Sequence, residues 1–414
     1  MNAYALSAEH VLGHDARHLQ GQIETAFSGG ERTLRPAKDA LRNFASVDAV
    51  VAELKPSEPV FCITPERLRS AAASFSSFPG TCLYAVKCNP HPFVLETLYQ
   101  SGITNFDVAS LDEVELIGSL FGSTAGKFYN NPAKTRRSIR MANDLHGIRF
   151  YTADCLEEVE KIAEEAGGSD DLVIAVRLAT NGTDARYVLS TKFGATPDTT
   201  IRLLRHIRSK GIKAGISFHV GSQCLAPRAF SEAVELAGDV AKRAGVELAV
   251  LNVGGGFPAP YPGDDVVGQG HYFKSVARAL RNHGIPRSCT ILCEPGRALV
   301  ATAGITLVQV VMRRDHNLFL NDGIFGTLQE LGHSKERRPV RLIPSTSRAS
   351  ATHTDFKVWG PTCDSNDVLG APFSLPDDVR EGDWIEVGMM GAYSLSMRTH
   401  FNGFFADQIV AIQA

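Results

Sequence analysis

The feature that most constrains this chain is a rhythm. Short apolar runs recur at intervals of about 20–40 residues from Leu83 onward. They are Leu83 to Lys87, Asn105 to Val108, Lys127 to Tyr129, Ile148 to Tyr151, Leu172 to Leu178, Gly215 to Val220, Leu248 to Val253 and Thr290 to Glu294. Val, Ile, Phe and Tyr dominate them, as in buried strands. Most are followed by apolar residues at three- and four-residue spacing, which predicts helices over His91 to Gln100, Leu111 to Phe121, Leu156 to Ala166, Thr199 to Lys210 and Ala229 to Ala244. Eight strands alternating with helices predict a (β/α)8 TIM-like barrel of the α/β class. The competing doubly wound sheet would bring a GxGxxG turn after its first strand, and there is none. After Ala303 the rhythm changes. Ile305 to Met312, Leu318 to Leu320, Val340 to Ile343, Phe356 to Trp359 and Trp384 to Val387 are strand-like, with no long helix between them. The expected organisation is an N-terminal extension over 1–59, ending in the breakers Pro56 and Pro59, a barrel over 60–303, and a C-terminal β-domain, sandwich or barrel, over 304–414. Part of the extension is expected to pack on the β-domain.

Composition excludes several classes. Hydrophobic residues make up 44% and charged residues 21% of 414, enough to build a core. The 42 Lys and Arg against 45 Asp and Glu leave no basic excess for a nucleic-acid backbone. No apolar run is long enough to span a bilayer. Met1 to Gln20 has no apolar core and carries three His, unlike a secretory signal. The eight Cys form no CxxC pair, which reads as reduced thiols of a cytoplasmic protein. Cys289 and Cys293, four apart on an apolar run, read as core packing rather than a metal site, and no metal is expected.

In a barrel, chemistry gathers at the C-terminal ends of the strands. Here those ends carry Lys87, Asp107, Asn130 and Asn131, Arg177, His219 followed by Gly221 and Ser222, the run Gly254-Gly255-Gly256, and Glu294 followed by Gly296 and Arg297. A buried charge without a partner is costly, so these groups face one another or a ligand. Each has a structural reading as well. Lys87 could snorkel, His219 could be a core histidine, the triple glycine could be a turn, and Glu294 could be an ion-pair partner. As a set they read differently. A lysine beside an aspartate suits Schiff-base chemistry. Backbone N–H groups at the glycines, with Arg297, suit a phosphate. A carboxylate suits a pyridinium nitrogen. The set describes pyridoxal 5'-phosphate.

The ordered motifs YAVKCN (84–89), FDVAS (106–110), SFHVGS (217–222), GGGFP (254–258) and EPGR (294–297) resemble the alanine-racemase-fold amino-acid decarboxylases. NDG (321–323), WGPTCD (359–364), GAY (391–393) and FNGF (401–404) narrow the resemblance to eukaryotic-type ornithine decarboxylases. It runs from about Val60 to the C-terminus. It implies a homodimer with active sites at the subunit interface. Lys87 would carry the cofactor, Glu294 would pair with its ring nitrogen, and His219 would stack on the ring. Ser222, Gly256, Arg297 and Tyr393 would hold the phosphate, with Asp107 and Arg177 near Lys87 and the ring, and Gly254, Gly255 and Gly296 would complete the cofactor-binding set. Cys363 of the second subunit would protonate the carbanion left by CO2, and Asp364 would bind the distal amine of the substrate. Asp322 and Phe401 are further substrate-binding candidates.

The resemblance implies decarboxylation of a basic L-amino acid, L-ornithine to putrescine or L-lysine to cadaverine. One departure bears on that. Such decarboxylases carry a second acidic residue, after a tyrosine, some dozen residues beyond the Asn-Asp-Gly motif. Here the stretch reads Gln329-Glu330-Leu331-Gly332-His333-Ser334-Lys335, with Glu330 or His333 as substitutes. A decarboxylase of another diamino acid or a conjugate stays open, including the diaminopimelate and carboxynorspermidine types. Cys363-Asp364 argues against diaminopimelate and against a racemase. An inactive regulatory homologue would break the cofactor motifs, and Lys87, His219, Arg297 and Cys363 are all present.

Overall fold

The computed structural model describes residues 41–181, 184–187, 189, 191–332, 336–346 and 350–413. The first strands are β1 (Asn43–Phe44) and β2 (Val60–Ile63). Then come β3 (Thr81–Ala85), β4 (Asn105–Val108), β5 (Gly126–Tyr129), β6 (Phe150–Ala153), β7 (Val173–Leu178), β8 (Ala185–Tyr187), β9 (Lys213–Phe218), β10 (Ser222–Cys224), β11 (Val250–Asn252) and β12 (Thr290–Cys293). The C-terminal strands are β13 (Gly304–Arg314), β14 (Asn317–Leu320), β15 (Val340–Ile343), β16 (His353–Trp359), β17 (Phe373–Pro376), β18 (Trp384–Val387) and β19 (Gln408–Ile412).

β3, β4, β5, β6, β7, β9, β11 and β12 close into an all-parallel barrel, matching the eight strands expected from the rhythm. β8 and β10 form a separate antiparallel pair beside it. Two crossover helices had no clear sequence signal. Arg136–Asp144 buries only Ser138, Ile139 and Ala142, too few apolar positions to set a period. Gln269–Asn282 follows a long glycine- and proline-containing loop that hides its start. The helix Leu111–Phe121 has a reciprocal cap, as Ser110 Oγ accepts from Glu113 N and Glu113 Oε2 accepts from Ala109 N at 2.7 Å.

Leu83, Phe150, Ala175, Val250 and Leu292 meet inside the barrel and form its apolar floor. Each such buried Leu or Phe contributes about 1.5–3 kcal/mol. Successive residues of a strand point to opposite faces, so the next inward position lies two residues further on. From this floor that position is Ala85, Thr152, Arg177, Asn252 and Glu294. The polar layer of the site thus stands directly on the apolar one.

The boundary expected at residue 60 is corrected by the structure. β2 is not a barrel strand. It pairs with β13 antiparallel and with β19 parallel, and β19 pairs in turn with β1. The C-terminal strand is inserted between two N-terminal ones, and the barrel begins only at Thr81. The physical reason is burial. Val60 and Cys62 pack with Phe44, Ile305, Leu307, Trp384, Val410 and Ile412 in a core of their own, while Phe61 and Ile63 turn toward the barrel. β17 and β19 are short strands between turns that the apolar pattern did not mark. The sheet reaches the barrel mouth where Asn89 Nδ2 donates to Gly391 O at 2.9 Å and Tyr393 N donates to Cys88 O at 2.7 Å. Among the described residues no helix is long and apolar enough to cross a membrane.

Candidate active site

One cavity opens at the C-terminal end of the barrel, enclosing about 820 Å³ counted to its open mouth. Lys87, Asp107, Asn130, Arg177, His219, Ser222, Gly256, Glu294, Gly296, Arg297 and Tyr393 all line it. The strand-end residues singled out from the sequence therefore converge, though they come from seven different strands or the turns after them.

Lys87 stands on a single 3-10 turn after β3, with Nζ 2.6 Å from Asp107 Oδ2. Burial opposes the ammonium charge, but Asp107 and Glu294 outweigh it and hold Lys87 above the ordinary lysine range. Asp107 is buried, and its Oδ1 has no hydrogen-bond partner among the described residues. Glu294, just past β12, is pushed up to about 7 by burial and by Asp107, against Lys87, a hydrogen bond from Asn252, and Arg177. Burial lowers the Arg177 guanidinium, which lies 5.9 Å from the Phe193 ring centroid. His219 follows β9. Burial, then Arg177 and Lys87, bring its imidazole down to about 3, so the ring is neutral near pH 7. Its Nδ1 accepts Gly221 N–H at 3.0 Å, which puts the ring proton on Nε2.

The opposite end of the cavity is a turn-rich cradle. Gly254 and Gly256 adopt φ of +67° and +107°, conformations that side chains rarely take. Gly256 lines the cavity, and a Cβ on the neighbouring Gly255 would come 2.9 Å from His219 Nε2 and 2.6 Å from Glu294 O. Arg297 Nε lies 3.4 Å from Ser222 Oγ and Nη1 donates to Tyr261 Oη at 2.8 Å. The rings of Tyr187, Tyr261 and Tyr393 lie 5.5, 5.7 and 5.0 Å from the guanidinium.

Two expectations, those for Glu330 and Asp322, are corrected here. Glu330, considered as a substitute acid for a substrate amine, is committed elsewhere. It takes Arg297 Nη1 and Nη2 at 2.8 and 2.5 Å, with Arg338 3.6 Å away. Asp322 does not face the cavity. It is buried and accepts from Gly323 N at 2.8 Å and from Thr327 N and Oγ1, which fixes its own loop. His333 lies outside the described residues. Cys363, Asp364 and Phe401 are absent from the lining of this cavity. Cys363 is exposed, its Sγ 3.6 Å from Asn402 Oδ1. Asp364 Oδ1 accepts Asn366 N at 2.8 Å, and Phe401 packs tilted at 41° against Phe325, ring centroids 4.7 Å apart. Two residues escaped the sequence reading. Asn252 looked like part of an apolar strand, although a lone amide in such a run is itself a signal. Tyr261 lies in a loop with no pattern to mark it.

The model of the family described as pyridoxal-dependent decarboxylase, pyridoxal binding domain, matches residues 64–301. The lysine/ornithine decarboxylase of Selenomonas ruminantium is 33% identical over 333 residues, covering 78% of this chain and 81% of that protein. The ornithine decarboxylase of Schizosaccharomyces pombe is 33% identical over 344 residues, 79% and 76% of the two chains. The crystal structure of the Paramecium bursaria Chlorella virus arginine decarboxylase bound to agmatine superposes with a TM-score of 0.79 at 25% identity, covering 88% of this chain and 99% of that one. The cavity suits a flat ring bearing an aldehyde, a basic nitrogen and a phosphate. It offers an amine at Lys87, a carboxylate at Glu294, the unpartnered Asp107 Oδ1, and a glycine turn beside Arg297.

Proposed function

Because this chain belongs to the pyridoxal-dependent decarboxylase family, we propose that it decarboxylates a basic L-amino acid, L-ornithine to putrescine and CO2, with L-lysine to cadaverine as a second substrate. It is a pyridoxal phosphate-dependent amino-acid decarboxylase. The observation that carries the substrate reading is that Asp364 and the exposed Cys363 beside it do not line this chain's own cavity, as expected of a pair that serves the site of a second copy. Relatives named for ornithine and lysine support the choice of a terminal amine.

When bound, pyridoxal phosphate supplies an electron sink for the pair left behind by CO2. Lys87 would hold it through Nζ. Glu294 would keep a proton on the ring nitrogen, where that charge favours electron withdrawal. The neutral His219 would face the ring without adding a competing positive charge. Arg297, Ser222, Tyr393 and the glycine turn at Gly256 would hold the phosphate. In a homodimer, Cys363 Sγ of the second copy would supply the proton for the α-carbon, and Asp364 of that copy would take the distal ammonium. The eight unpaired cysteines fit a reducing compartment, the cytoplasm.

The test is CO2 release by protein loaded with pyridoxal phosphate, across L-ornithine, L-lysine, L-arginine, L-2,4-diaminobutyrate and meso-diaminopimelate. Preference for ornithine or lysine is expected. With Glu330 spent on Arg297, one acid is left among the candidates for the amine. Release from arginine alone, or from none of the five, would overturn the substrate assignment.

A further inference from the structure

Asn252 is fully buried at the end of β11. Its Oδ1 accepts Gly254 N–H at 2.9 Å, and its Nδ2 donates to Glu294 Oε1 at 2.5 Å. The two partners fix which way the amide faces. A backbone N–H only donates, so the amide oxygen must meet Gly254. That leaves Nδ2, which also only donates, against the carboxylate. A reversed amide would set oxygen against oxygen at Glu294 and N–H against N–H at Gly254. Gly254 and Glu294 are tied a second time by the main chain, since Glu294 N donates to Gly254 O at 2.8 Å.

We propose that Asn252 is a positioning residue for Glu294, one amide that couples the phosphate-side glycine turn to the carboxylate at the ring nitrogen and favours its ionised form. The proposal rests on the reading of Glu294 as the ring-nitrogen partner. The charged and titratable groups facing Glu294 are Asp107 from β4, Lys87 after β3, Arg177 from β7 and His219 after β9. Asp107 and burial work against ionisation, Lys87 and Arg177 work for it, and His219 is neutral. A charge-assisted hydrogen bond from an amide favours the ionised form and gives the carboxylate one direction. The glycine turn, which must stay open for a phosphate, is held by the same side chain. Displacement at one end of the cofactor site is therefore felt at the other.

The experiment is a fluorescence titration of cofactor-free protein with pyridoxal phosphate, from pH 6 to 9, on the parent, Asn252→Ala, Asn252→Asp and Glu294→Gln. Loss of the donor moves the acid limb of binding up by about one pH unit. In Asn252→Ala the Kd at pH 6.5 then weakens about tenfold, and that at pH 8.5 changes less than about threefold. Asn252→Asp keeps the shape and the acceptor for Gly254 N–H but sets a second carboxylate beside Glu294. It shifts the limb in the same direction, and it decides the matter if the alanine variant fails to fold. Glu294→Gln should lose the acid limb altogether. A Kd raised by one common factor at every pH in both Asn252 variants, or left unchanged in both, would overturn the positioning role. A Glu294→Gln protein with the parent's pH profile would instead overturn the assignment of Glu294, whatever Asn252 does.

Discussion

Glu330 takes both terminal nitrogens of Arg297 in a two-pronged ion pair, and Arg338 stands behind the same carboxylate. Arg338 is in turn 2.9 Å from Glu336, which lies 2.6 Å from Arg186. Arg297, which lines the cavity and is proposed to hold the phosphate, is thus anchored through a chain of alternating charges rather than standing free. The geometry is bidentate, the strong arrangement for guanidinium and carboxylate.

Removing one partner of a buried pair leaves the other charge uncompensated, at a cost of about 3–5 kcal/mol. Glu330→Ala is expected to lower the melting temperature of the cofactor-free protein. If Arg297 holds the phosphate as proposed, saturating pyridoxal phosphate should then raise it more in the variant than in the parent, because the phosphate would take up the vacated edge of Arg297. Thermal melts with and without cofactor test this. Equal melting temperatures for variant and parent would mean the pair contributes nothing.

Lys87 and Cys363 belong to different places in the fold, one inside the cavity and one in an exposed turn. Lys87→Ala should lose the cofactor's near-visible absorbance and all turnover. Cys363→Ala should keep the absorbance and lose about 10²–10⁴ in rate, or release an aldehyde from protonation at the wrong carbon. Mixing the two inactive variants in equal amounts should restore about a quarter of parent activity if each site draws on both chains of a twofold dimer. No recovery on mixing would mean that Cys363 serves its own chain or none.

Burial, with Arg177 and Lys87, holds His219 down to about 3, against 6.5 for an ordinary histidine. Between those values the unfolded chain binds a proton at this residue that the folded chain does not. Its contribution is therefore full above pH 6.5 and is lost as the pH falls toward 3. Glu294 and Glu113, both raised to about 7 chiefly by burial, act in the opposite sense, losing stability as the pH rises from about 4.5 to 7. Comparing His219→Gln with the parent isolates the histidine. Between pH 7.5 and 5 the variant should lose less stability than the parent, by on the order of 1–2 kcal/mol. Urea unfolding of cofactor-free protein at the two pH values reads the difference, and parallel losses would contradict it.

Asp322 accepts from Gly323 N, Thr327 N and Thr327 Oγ1 inside one loop. Asp322→Asn replaces one acceptor by a donor facing those groups. A loss of about 1–3 kcal/mol of stability is expected, with KM for the preferred amino acid unchanged. A raised KM at unchanged melting temperature would return Asp322 to the substrate site.

Much of this was legible in the linear chain because a barrel repeats one local rule. Strand, turn and helix recur, and the polar residue ending each apolar run is carried to the same rim. Lys87, Asp107, Arg177, His219 and Glu294 could be named on that basis, and the motifs around them pointed to the family. Local pattern faded where apolar positions were sparse, as in Arg136–Asp144, and where a strand was short and flanked by turns, as in β17 and β19.

By itself, the sequence determined the alternation that builds the barrel, the rim residues, and the cofactor chemistry they suit. All of these follow from neighbours a few residues apart. Only the tertiary structure decided that β2 leaves the barrel for a sheet threaded by the C-terminal strand. It alone decided that Glu330 is spent on Arg297, that Asp322 closes its own loop, and that Asn252 joins Gly254 to Glu294. Three of these pairings join residues 33 or more positions apart. Which side chain meets which across a closed barrel depends on register and on competition for each buried donor and acceptor, and neither is written in local pattern.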